Sequence, residues 1–296
     1  MKKKLKQYGL VILLGLPLSS VAYADDWSGY ADVSMIAGAY SGTTTKNSSI
    51  GYGASLQVDY LEWGGAKVAG SLLNISGIDS TVNYTIEQQS VFASAHVNKY
   101  CDTFGGVFTF RLDAYQVDLK DEFTYQDNVR AYAPQLSFLN YQKTFYVDLG
   151  YAKSTYANGL QVDQLTPTLG FAFNQGSDWL QTRSYLIQTS DAALAQGVST
   201  TQAVEFKLTH WTAPGSIFSQ LFANVLLGER VFAVDGDAAA VYSLADAQQG
   251  GASFGLSWAS SFVDSSLMIS ADSYINKETN ATYINGLAYI NFSKSW

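Results

Sequence analysis

An alternation of period two restricts this chain more than any other feature, running from near Tyr30 to Trp296. In IGYGASLQVDYLEW the positions Ile50, Tyr52, Ala54, Leu56, Val58 and Tyr60 are apolar or small, with Gly51, Gly53, Ser55, Gln57 and Asp59 between them. Successive side chains of a strand point to opposite faces, so the segment is a ribbon with one oily and one wet face. GVFTFRLDAYQVD repeats the pattern, with Phe108, Phe110, Leu112 and Ala114 on one face and Thr109, Arg111, Asp113 and Tyr115 on the other. FYVDLGY, TPTLGFAF and AVEFKLTH follow suit.

About fourteen such segments are legible, near residues 29–40, 50–63, 66–76, 89–101, 106–118, 130–142, 144–156, 163–174, 178–189, 200–212, 216–228, 250–262, 265–277 and 282–296. Each is long enough for the ~9–11 tilted residues with which a strand crosses a bilayer. An even count closes an antiparallel barrel with both ends on one side; twelve and sixteen are the neighbouring solutions. The connections alternate too. GG (Gly64, Gly65), DTFG, Lys143, QGS, APG and VDS read as tight turns, whereas SGTTTKNSS, GIDSTVNYTIEQ, KDEFTYQDNV, NGLQVD, SDAALAQGVS and residues 229–249 read as longer loops. Trp63, Tyr100, Phe104, Tyr141, Phe145, Trp179, Trp211, Phe218, Trp258 and Phe262 crowd the short turns, as a girdle at a membrane interface would.

The N-terminus has its own signature. Lys2, Lys3, Lys4 and Lys6 precede an apolar run from Gly9 to about Leu18 and then Ala22-Tyr23-Ala24, the form of a secretory signal peptide cut after Ala24. Its apolar run is too short for a membrane helix, and none later approaches the ~18 residues one needs. Removing residues 1–24 leaves 13 of the 17 basic residues against all 25 acidic ones, so the remainder carries about −12 and has no electrostatic attraction for nucleic acid. The single cysteine, Cys101, makes no internal disulfide and reads as a small residue near a turn.

With its signal peptide, dyad repeats and terminal aromatic, the chain resembles Gram-negative outer-membrane β-barrels of the porin type. The resemblance is architectural, covers nearly all of residues 25–296, and carries no motif of one particular family. It implies an all-β fold, a transmembrane antiparallel up-and-down barrel in the outer membrane with both termini periplasmic. It also implies a terminal signal read by the barrel assembly machinery, here Ile290, Phe292 and Trp296. Lys294 departs from that pattern, although a lysine near the membrane edge can snorkel. A soluble β-sandwich would alternate as well, but with more charge on its wet face.

If oily faces meet lipid, parity places Asp32, Asp59, His96, Arg111, Asp113, Asp148, Arg183, Glu205, Lys207 and Asp272 in the lumen. Acids exceed bases there, which favours small cations, though Arg111 with Asp113 and Glu205 with Lys207 also read as structural pairs. Fourteen strands exceed the eight whose side chains fill a barrel, so water or an inserted loop must occupy the middle. The connection ERVFAVDGDAAAVYSLADAQQGG is apolar enough to pack against something. It either covers the rim or folds inward, which would make Glu229, Asp235, Asp237 and Asp246 constriction residues. VDGDA lacks the oxygen donors of a calcium loop, and two distant histidines with one cysteine make no metal site. Ser94, His96 and Asn98 share a face but not the His-x-Ser order of the outer-membrane phospholipase, and His210 reads as interfacial beside Trp211. No catalytic residue, cofactor or metal is therefore expected. Two functions fit: passive passage of small hydrophilic solutes, or a dedicated export or scaffold barrel serving an exopolysaccharide or secretion assembly with a periplasmic partner. No periplasmic domain is expected on this chain.

Overall fold

A computed structural model describes residues 26–43, 45–79, 82–121, 126–241, 246–277 and 279–296. The signal peptide read over residues 1–24 lies outside them. The strands in chain order are β1 (Trp27–Ser41), β2 (Lys46–Tyr60), β3 (Gly64–Asp79), β4 (Val82–Cys101), β5 (Gly106–Asp121), β6 (Gln126–Asn140), β7 (Phe145–Tyr156) and β8 (Gln161–Phe173). β9 (Asp178–Thr189), β10 (Thr200–Trp211), β11 (Gln220–Arg230), β12 (Val234–Asp235), β13 (Ala240–Val241), β14 (Asp246–Trp258), β15 (Asp264–Asn276) and β16 (Thr282–Ser295) follow. All but β12 and β13 form one closed barrel of fourteen strands, and those two make a separate hairpin. Each barrel strand pairs antiparallel with its sequence neighbours, as period-two ribbons joined by tight turns require.

Closure comes from β1 and β16, in register from Tyr30 opposite Ser295 to Ser41 opposite Ile284. Trp296 extends this seam: its N–H donates to the Gly29 carbonyl at 3.1 Å, and the Gly29 N–H donates back at 3.0 Å. A Cβ on Gly29 would lie 2.2 Å from the indole ring, so only glycine lets the tryptophan lie over the seam.

Turns at residues 61–63, 102–105, 141–144, 174–177 and 259–263, with a longer one at 212–219, define a short-turn end. Exposed Trp63, Tyr100, Phe104, Tyr141, Phe145, Trp211, Phe218, Phe262 and Trp296 gather at that end. Trp179 differs from the expected girdle: it shares the inner parity of Arg183 and packs over Gly170.

GIDSTVNYTIEQ and KDEFTYQDNV, read above as loops, are largely strand. β3 runs to Asp79 and β4 begins at Val82, while β5 runs to Asp121 and β6 begins at Gln126. The reason is an inversion of faces. Toward the short-turn end, Phe110, Leu112, Leu136, Leu149, Leu169 and Phe171 are exposed on the outside. Toward the far end the outer positions become Gln116, Lys120, Arg130, Lys153 and Gln188, and the inner ones Val117, Leu119, Val129, Ala152, Val162 and Ile187 are buried. A strand that rises beyond the hydrocarbon meets water outside, so its polar residues mark an exposed wall and not a loop.

Two prolines interrupt the ladder. The pairing of β6 with β7 is interrupted between Tyr132/Lys153 and Gln135/Gly150, around Pro134, and resumes in the same register. That of β8 with β9 is interrupted in the same way between Leu165/Leu186 and Thr168/Arg183, around Pro167. Each pairs normally with the strand on its other side, Pro134 with Leu112 and Pro167 with Leu149, as expected for a residue without an N–H to donate.

Candidate functional site

The inner faces of β4 to β11 and the segment after β11 build the most structured part of the interior. β11 ends at Arg230, and Val231, Phe232, Ala233, Val234 and Asp235 are all buried. Together with Val241 they pack against Val117, Val129, Ala152, Tyr156, Val162, Tyr185 and Ile187 of the wall. Val234 is held as if by another strand: the Gln164 amide donates to its carbonyl at 2.7 Å, and its N–H donates to Gln164 Oε1 at 2.9 Å. Phe232 stacks edge-on against Tyr156 with ring centroids 5.1 Å apart. Its φ of 56° is a left-handed conformation that a bulky residue keeps only where packing holds it. Of the two placements open at the sequence level, the segment folds inward.

Beyond Val234 the chain turns at Asp235–Gly236–Asp237. Asp235 accepts from the backbone N–H groups of Asp237 and Ala238 at 3.1 and 3.2 Å, closing the turn. Both carboxylates meet Arg183, whose Nη2 lies 2.8 Å from Asp237 and whose Nη1 lies 3.7 Å from Asp235. Arg230 approaches Asp235 at 3.8 Å and lies over the Tyr185 ring, 4.9 Å from its centroid. Gly236 sits so tightly that a Cβ would come within 2.3 Å of Arg111 Nη2. Partial enclosure within the barrel works against the charge of the half-exposed Asp237, but the Arg183 guanidinium, with Lys207 and Arg111 behind it, outweighs this and holds the carboxyl below the usual carboxylate range.

Every lumen residue read from parity stands on an inner face. Arg111 pairs with buried Asp113 at 3.0 Å, and Asp113 also accepts from Ser94 at 2.6 Å. Glu205 accepts from Tyr185 at 2.9 Å and Asn224 at 2.6 Å, so it does not make the expected pair with Lys207. Lys207 is exposed on the same face. Asp32 accepts from Ser55 and Asn291, Asp272 from Gln248 and Ser270, and Asp59 from Gln57, with His96 3.6 Å away. Asp148 is buried, and neither of its oxygens has a hydrogen-bond partner among the described residues.

Two loop candidates move. Glu229 belongs to β11, pairs with Lys277 at 2.7 Å and lines one depression with the outward Leu165, Leu186 and Gln188; it faces away from the interior. Asp246 begins β14 and pairs with Lys46, which also donates to the Tyr283 hydroxyl at 3.1 Å, 5.0 Å from that ring's centroid. A pairing between segments 200 residues apart braces the opposite side of the mouth, and the sequence offers no local sign of it.

The hydrolase-like trio is dispersed: Ser94 bonds to Asp113, His96 approaches Asp59, and Asn98 donates to the Glu62 carbonyl. His210 pairs with Asp178 at 2.7 Å at the short-turn rim, and Cys101 is free and half-buried. Among the described residues no group of three His, Cys, Asp or Glu side chains gathers as a metal site would require. A cavity of about 640 Å³ is lined by Tyr151, Asp163, Leu165, Leu186 and Gln188, whose parity points outward; it dents the outer wall. Beside the loop tip a cavity of only about 40 Å³ remains, bounded by Arg111, Asp113, Arg183, Gly236 and Asp237.

This is the architecture of outer-membrane β-barrel channels. A TodX ΔS2S3 mutant, a monoaromatic hydrocarbon channel, superposes with a TM-score of 0.55 at 10% identity, over 92% of this chain and 91% of that one. A bacterial polysaccharide outer-membrane secretin gives 0.48 at 9% identity over 90% and 98%, and OccK7 of Pseudomonas aeruginosa gives 0.42 at 8% over 93% and 99%. No protein-family model and no curated protein matches the sequence.

Proposed function

We propose that this barrel is an outer-membrane channel for passive diffusion of small hydrophilic solutes, closed at its far end by the segment Val231–Val241. One observation carries the reading: the far end is filled by a dedicated inserted segment, while the wall toward the short-turn end keeps a polar inner face. A fourteen-strand wall is too wide for its own side chains to fill. Asp235 and Asp237 are then constriction residues. The inner acids Asp32, Asp59, Asp113, Asp148, Glu205 and Asp272 outnumber Arg111, Arg183 and Lys207, and give the open pore a weak cation preference. No catalytic role is assigned to any residue.

In this reading residues 1–24 direct export and are removed, and both termini lie on the periplasmic side. Ile290, Phe292 and Trp296, outward along β16, serve recognition by the assembly machinery. Deleting Trp296 should lower the amount of folded barrel in membranes far more than any lumen substitution, as quantitative blotting of membrane fractions would show.

A second reading, an export barrel opened by a periplasmic partner, draws support from the apolar character of the plug, which thermal motion alone releases slowly. Planar-bilayer conductance separates the two. The channel reading expects brief openings from the intact barrel and persistent, weakly cation-selective conductance once residues 232–240 are deleted. Silence from both proteins would overturn it in favour of partner-driven export.

A further inference from the structure

The charges at the loop tip are divided unevenly between wall and insert. Arg111, Arg183 and Lys207 project from β5, β9 and β10, and Arg230 closes β11. Of the wall's nearby carboxylates, Asp113 is engaged by Arg111 and Ser94 and Glu205 by Tyr185 and Asn224, while Asp148 stands across Thr168 from Arg183 without an ion pair to it. Among the described residues, the carboxylates within 4 Å of Arg183 are Asp235 and Asp237, and both belong to the insert. One buried guanidinium is thus clamped on its two terminal nitrogens by two acids of one tight turn. Arg230 touches the first acid, and Lys207 and Arg111 add their fields at the second.

Planar guanidinium groups recognise paired carboxylates through several directed donors, more strongly than a lone ammonium does. We propose that Arg183, with Arg230, Arg111 and Lys207, forms a binding site for a small dicarboxylate, and that the Asp235–Gly236–Asp237 turn is its tethered occupant. The assignment rests on reading Val231–Val241 as a docked closing segment. The cavity of about 40 Å³ beside the tip is too small for a dicarboxylate, so a free one enters only as the turn leaves. Covalent attachment gives the turn an effective concentration of order mM, which a solute must outcompete. A dicarboxylate would thereby release the plug at its charged end.

The test is calorimetric titration of the full-length barrel in detergent with succinate, using acetate as the single-carboxylate control. The D235N/D237N variant should bind succinate at least ten-fold more tightly than the unaltered chain and at least ten-fold more tightly than it binds acetate. Adding Arg183→Gln should abolish that gain, and raising the salt should weaken it. No gain in the double variant, or a gain that survives loss of Arg183, overturns the proposal. If the double variant does not fold, Asp237→Asn alone, with its half-exposed side chain outside the barrel strands, should show a gain of several-fold; its absence is equally decisive. The readout needs no conductance. A barrel silent in bilayers that shows the gain keeps the site and loses the channel reading, and one that conducts without the gain does the reverse.

Discussion

The two halves of this barrel solve the same packing problem with opposite faces. Toward the short-turn end the wall turns Phe110, Leu112, Leu149 and Leu169 outward and keeps Arg111, Asp113, Asp148, Thr168 and Arg183 inside. Toward the far end the same strands turn Gln116, Lys120, Lys153 and Gln188 outward and bury Val117, Leu119, Val129, Val162 and Ile187. The backbone does not change between the halves; the solvent outside it does. Apolar side chains follow low dielectric, whether hydrocarbon on the outside or a packed plug on the inside. In the proposed channel, the crossover marks where the wall leaves the membrane, and the inserted segment is the core that the protruding half needs.

The sharpest way to break this comparison is to charge the protruding half from within. Val129 is fully buried against the plug, and Val129→Asp would leave a carboxylate without a partner there, costing about 3–5 kcal/mol. The expected outcome is loss of plug packing and continuous conductance in bilayers. Unchanged closure would mean that the plug is not a packed core.

A smaller effect tests the outside. Leu149→Arg introduces a cation on the lipid face and should cost about 2–4 kcal/mol if that position lies near mid-membrane. Gln116→Arg, an outer position of β5 beyond the crossover, should change stability by less than about 0.5 kcal/mol. Denaturant titrations of barrel refolding into vesicles measure both. Equal costs would place the crossover elsewhere.

The same inversion explains what the sequence disclosed and what it hid. Alternation, turn lengths and aromatic crowding determine closure, strand count and most strand limits, because each depends on residues adjacent in the chain. The ends of β3 to β6 escape any reading that recognises a strand by a constant oily parity. In FRLDAYQVDLK that parity shifts from Phe110, Leu112 and Ala114 to Tyr115, Val117 and Leu119, a signal that mimics the fading of a strand into a loop. Asp235 and Asp237 stood out by their setting in an apolar loop, and Arg183 by parity. Their meeting depends on how a segment folds across the interior, as does that of Lys46 with Asp246, and no local pattern encodes either. Glu229 misleads because charge is a mark of loop in most chains, whereas β11 continues here with an outward acid.

The gentlest probe is pH, which acts on the charged end of the plug and leaves its apolar body untouched. Arg183 holds the Asp237 carboxyl below its ordinary range, so the ionised form binds the wall more tightly than the protonated one. A depressed carboxyl contributes stability that is fully present above its free value, about 4 for aspartate, and that is lost as pH falls through the lower bound-state value. Closure should therefore be insensitive to pH from neutrality down to about 4, with openings becoming more frequent only in stronger acid. Asp237→Asn should open more often at neutrality and lose much of that acid response, whereas Gln116→Arg should leave both unaltered. Bilayer recordings across this range would decide the point: frequent opening already on mild acidification would assign the sensitivity to a group other than Asp237. Persistence of closure at every pH would show that the apolar contacts of Val231, Phe232 and Val234 suffice alone.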